Sequence, residues 1–113
     1  MMCEKLLIFQ KTYDQALWFY PLVNRIPKSH RMVLGKAIEE RVIALVIAVS
    51  KANSLKGLER QKLQQLISND LDTLRILLRL TKDLKFKSIK QYAFGAEKMN
   101  EIARMLRAWM KVV

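Results

Sequence analysis

One cysteine, one histidine, two prolines and three glycines are all that this 113-residue chain has of the residues that most often direct chemistry or reverse the chain. Cys3 is alone, so no internal disulfide can form and a reducing compartment is the economical reading. With His30 the only imidazole and Cys3 the only thiol, metal clusters and Cys–His or Ser–His–Asp catalysis have no raw material. Gly35 stands outside any phosphate-loop pattern. No catalytic residue, cofactor or metal is expected. So few turn formers also argue against a β-sandwich or barrel, which needs a turn about every 8–12 residues. The longest apolar run, Val42–Val49, falls well short of the roughly 20 residues of a membrane span. The opening segment has an apolar run of only four residues, Leu6–Phe9, and no small-residue cleavage site, so it does not read as a signal peptide. A cytoplasmic protein with no membrane association is expected.

Acids are scarce too, 10 against 21 lysines and arginines, and yet 51% of the chain is apolar. That is too hydrophobic for a disordered basic tail. We expect one domain over residues 1–113, all-α, in four helices at about 3–25, 29–53, 58–83 and 88–111. In the first, Leu6, Phe9, Tyr13, Ala16, Leu17, Tyr20 and Val23 recur at helical spacing as one face. Ile8, Trp18, Phe19 and Leu22 lie off it, and a second apolar face implies an oligomer. Pro21 predicts a kink or early break, and Pro27 ends the segment. Ser29 is the expected N-cap of the second helix, whose Val42–Val49 stretch is apolar all round. The third carries a stripe of Leu63, Leu66, Ile67, Leu71, Leu74 and Leu78. Ser88 and Gln91 have the spacing of a capping box. The seam of the fourth helix is Ile89, Tyr92/Ala93, Ala96, Met99, Ala103, Leu106 and Met110. Trp18 and Trp109 read as core or interface. Short links between long helices imply an up-down-up-down four-helix bundle.

That topology gives the charge a place. Residues 22–36 and 74–90 hold ten basic residues against one acid, Asp83, and so nine of the formal eleven net positive charges. Both stretches fall at one end of the bundle. Arg25, Lys28, Arg31, Arg79, Lys82, Lys85, Lys87 and Lys90 converge there as a cationic pole. Arg75, Arg79 and Lys82 form a row within about 60° of helix surface. Lys28 and Arg31, and again Lys87 and Lys90, stand at helix N-termini, where each exposed cation costs roughly 0.3–1 kcal/mol against the helix dipole. Arg75 could pair with Asp72 and Arg79 with Asp83, which leaves Lys82, Lys85, Lys87, Lys90, Lys28 and Arg31 without local partners. A solvated face is the ordinary role of surface lysines, but this surplus favours a surface for polyanions. Glu97 and Glu101, followed by Arg104, read as ion-pairing residues. Arg104, Arg107 and Lys111 make a second basic group at the opposite end.

Several stretches in order, Trp18-Phe-Tyr-Pro21, Ile26-Pro-Lys-Ser-His-Arg31 with Leu34-Gly35, Leu74-Arg-Ile-Leu-Leu-Arg-Leu80 and Ile102–Lys111, resemble the Avd-like four-helix bundle family. That family includes the accessory variability determinant of diversity-generating retroelements and proteins encoded by intervening sequences in 23S ribosomal RNA genes. The resemblance implies a homopentamer and, in the retroelement branch, binding of a reverse transcriptase and its template RNA or cDNA in support of mutagenic reverse transcription, without catalysis. The other branch implies a structural or protein-interaction module. Arg75 and Arg79 match the paired arginines that the family presents on its basic surface. Where the family often has Gly-Gly before the closing tryptophan, this chain has Arg107-Ala108.

Overall fold

A computed structural model describes residues 4–112, with side chains from Leu7 onward. Cys3 and the side chain of Leu6 lie outside the described residues. The four long helices are α1 (Glu4–Leu22), α2 (Lys36–Asn53), α3 (Gly57–Asp83) and α4 (Ile89–Met110). Each packs on its neighbour in the chain, and α1 also packs on α4, closing an up-down-up-down square about 45 Å long and 24 by 19 Å across. No described helix is long and apolar enough to cross a membrane.

The α1–α2 connection departs from expectation. Pro21 is accommodated in the last turn of α1, and the chain then tightens into a 3₁₀ turn, Val23–Arg25, instead of continuing as α-helix. Ile26 is extended (φ −73°, ψ 132°), as the residue before a proline prefers. Helical structure resumes at Lys28–His30, with Pro27 at the cap position and Ser29 inside the turn, so Ser29 is not the N-cap. A π-helical turn, Arg31–Gly35, follows, with the Lys36 N–H donating to Arg31 O five residues back. It turns Met32 and Val33 outward, 78% and 79% exposed, while Leu34 and Gly35 face inward. The Cβ of any other residue at Gly35 would lie 2.9 Å from Val23 Cγ1, so the close approach of these two turns requires glycine.

The α3–α4 turn is shorter and more regular. Lys85 N–H donates to Lys82 O (2.9 Å) and Phe86 N–H to Thr81 O (2.8 Å), with Lys85 left-handed at φ 65°. This is a Schellman cap, with a lysine where glycine is the usual choice. The expected capping box then opens α4: Ser88 Oγ accepts from Gln91 N–H and Gln91 Oε1 from Ser88 N–H, both at 3.1 Å.

Two apolar clusters fill the interior. The one nearer the basic end contains Phe19, Val23, Ile26, Leu34, Ile38, Val42, Leu74, Leu78 and Met99. The distal one contains Ile8, Leu45, Val49, Ile67, Leu71, Ile102, Leu106 and Trp109. Arg107 and Ala108, in place of the glycine pair, are exposed, and Trp109 stays buried beneath Arg60, 5.7 Å from its ring. The α1 stripe faces inward only in part: Val23 is buried and Phe9 and Ala16 pack against the core. Ile8, Thr12, Gln15 and Phe19 are buried, whereas Tyr13, Leu17 and Tyr20 are 45%, 60% and 53% exposed. Two polar members, Thr12 and Gln15, hid the inward face from a reading of apolar spacing; Thr12 Oγ1 satisfies itself on Ile8 O at 2.8 Å. Leu66 and Ile89 are likewise exposed, not core. Their places are taken by Gln64 on α3 and by Gly95 and Ile102 on α4.

Candidate nucleic-acid interface

The bundle brings the C-terminal ends of α1 and α3 to the same pole as the α2 approach and the start of α4. His30 and Phe86, from the two connections, meet with ring centroids 5.1 Å apart, tilted at 41°. The sequence-predicted cations are all near this end or on the α3 flank leading to it, but they serve different purposes.

Three of those expected to lack partners have them. Lys87 is buried, and its ammonium donates to Leu22 O at 3.1 Å, at the carbonyl end of α1 where the helix dipole favours a cation. Burial, and after it the charge of Arg25, holds the Lys87 pKa below the ordinary lysine value. Arg31 clamps the α1–α2 connection, with Nε donating to Ile26 O at 2.8 Å and Nη2 to Asn24 O. Lys82 lies 4.6 Å from the centroid of the Tyr92 ring and 3.5 Å from Asp83. Apart from Asp83, which adjoins Lys82 in the sequence, these partners come from other elements or from the backbone, so local spacing could not display them.

The α3 row is real but graded. Arg79 is exposed and pairs with Asp83 at 3.6 Å, as its spacing predicts. Arg75 is half-buried against α4, beside a cavity of about 190 Å³ lined by Tyr92, Ala96, Met99 and Asn100. Among the described residues no ion pair includes Arg75, so the Asp72 pair is not formed. Lys28, Lys85 and Lys90, with Arg25, are exposed and make no ion pair or side-chain hydrogen bond among the described residues. Asp83 alone supplies negative charge in the two stretches, and it faces Arg79 and Lys82 together. Arg25, Lys28, Lys85 and Lys90 therefore form the free part of the pole, with Arg75 and Arg79 continuing it along α3.

Away from the pole three acids are held in ion pairs. Glu97 pairs with Arg104 (3.4 Å), Glu101 with Lys11 (2.9 Å), and Arg41 with the largely buried Asp70 (3.3 Å). Hydrogen bonding to Lys11 is the leading cause that holds the Glu101 carboxyl below its usual range. A feature missed from sequence is a groove of about 300 Å³ between α1 and α4, lined by Trp18, Lys90, Gln91 and Phe94. Its signal was present as Lys90, Phe94 and Lys98 at four-residue steps, off the seam of Met99 and Leu106.

A family model described as bAvd-like matches residues 6–113. Among solved structures the chain is similar to a protein of unknown function from the S23 ribosomal protein family of Bacteroides thetaiotaomicron. The two are 13% identical with a TM-score of 0.87, over 97% of this chain and all of the other. At that identity the likeness shows the fold alone. No curated protein matches.

Proposed function

The chain belongs to the bAvd-like family, and we propose from there that it is a non-catalytic, cytoplasmic accessory protein of a diversity-generating retroelement. In this reading its basic pole binds the template RNA or its cDNA, it engages the reverse transcriptase, and it acts as a homopentamer. The observation that carries the reading is the set of exposed cations Arg25, Lys28, Lys85 and Lys90, unpaired among the described residues and drawn from two connections and one helix start onto a single end, with Asp83 the only acid in the two stretches that hold them. Such a cluster is unfavourable to the free protein through self-repulsion, and the negative charge of a phosphate backbone relieves that repulsion while the counterions it releases favour binding.

The test is a filter-binding titration of RNA across a salt series. Binding should weaken with a slope of about 0.7–0.9 per phosphate neutralised on a log–log plot. Arg79→Glu together with Lys85→Glu should lower affinity and flatten the slope at unchanged helical content. Salt-independent binding, or none, with capture of an acidic protein instead, would point to the structural-module branch of the family.

A further inference from the structure

We propose that the α1–α4 groove is a stacking site for an unpaired nucleotide, separate from the phosphate-binding pole but opening from it. This deepens the nucleic-acid reading above and rests on it. Phe94 is 49% exposed, and Trp18 stands beside it with ring centroids 5.3 Å apart at 46°. The pair is built into the fold. Phe19 meets Trp18 edge-on at 4.8 Å, and a Cβ at residue 95 would fall 2.8 Å from two indole carbons, so Gly95 is what lets the indole lie against α4.

The surroundings suit a nucleotide better than an apolar peptide. Lys90 and Lys98 stand four residues before and after Phe94, about 12 Å apart along the helix, with Lys98 Nζ 4.9 Å from the Phe94 ring centre. Cations so placed can meet the phosphates on either side of a base resting on the aromatic pair. Gln91 contributes a polar edge. Its Oε1 is held by the Ser88 cap, which fixes the side chain and leaves the amide N–H groups for a base carbonyl. The nearby acids do not cancel this charge, since Glu97 is drawn to Arg104 and Glu101 to Lys11. The groove measures about 300 Å³ and is open on one side, as a strand threading past it requires. A duplex, with its bases already stacked, has nothing to place there.

The experiment compares the full chain with Phe94→Leu and Phe94→Tyr, titrated with oligo-deoxythymidylate and with a DNA duplex of equal length, while sedimentation and thermal melts monitor assembly and folding. Phe94→Leu should weaken single-strand binding about tenfold and duplex binding less than twofold, and Phe94→Tyr should restore the single-strand affinity. Equal loss on both probes, no loss on either, or a change in sedimentation with binding intact overturns the groove as a nucleotide site. If Phe94→Leu binds like the parent while Arg79→Glu/Lys85→Glu does not, the pole stands and the groove falls. If the unsubstituted chain binds neither probe, the groove falls, and the RNA titration decides the pole separately.

Discussion

The ammonium of Lys87 lies inside the pole, not on it, and its charge serves the end of α1. Because the buried group titrates below an ordinary lysine, the unfolded chain binds more protons than the folded one between the two pKa values. Stability contributed by this residue therefore rises with pH through the window that ends near the ordinary lysine value of about 10.4, and is level on either side. Urea unfolding of the parent chain and Lys87→Met, followed from neutral pH into that range, should show the parent gaining on the variant as pH rises. Parallel pH profiles would remove Lys87 as the cause. Single-residue roles were legible where both partners lie close along one helix. Arg79–Asp83 and Ser88–Gln91 are of that kind. The contacts of Lys87 with Leu22 O, Arg31 with Asn24 O and Lys82 with the Tyr92 ring are not, because the fold brings those partners together.

Among the elements, α3 and α4 end within a residue or so of where their sequences place them, since a capping box, a left-handed Lys85 and a long periodic stripe all agree. The α1–α2 connection was not legible in this way. Its 3₁₀ and π-helical turns meet where Val23 comes close to Gly35, an approach between residues with no periodic signature. That contact can be tested directly. Gly35→Ala gains about 1 kcal/mol of helix propensity but forces a methyl to 2.9 Å from Val23 Cγ1, an overpacking that costs typically 1–3 kcal/mol. We expect a net loss of up to about 2 kcal/mol in chemical denaturation. Making room with Val23→Ala should recover part of it, so that the double-mutant cycle is non-additive in the favourable direction. Additive losses would mean that the two turns do not press on one another.

For the whole molecule, the outward row of α1 bears on assembly. Seventeen large apolar side chains are exposed among the described residues, and several fall in rows instead of singly. Tyr13, Leu17 and Tyr20 line a shallow groove of about 270 Å³ on α1. Ile43 and Ile47, one turn apart, are exposed on the adjacent α2. Aligned rows of this kind mark protein–protein surfaces more often than isolated exposed residues do. They lie across α1 from Trp18, which leaves the α4 groove clear. A pentamer of a +11 chain carries about +55, so assembly through these rows must overcome repulsion that salt screens. The two proposed activities therefore respond to salt in opposite directions. Raising the ionic strength should favour the oligomer in sedimentation velocity while it weakens RNA binding. Leu17→Glu with Ile47→Glu should leave a folded monomer at every salt concentration, since both side chains are exposed in the protomer. An oligomer that dissociates as salt rises would instead be held by ion pairs, and the apolar rows would need another partner.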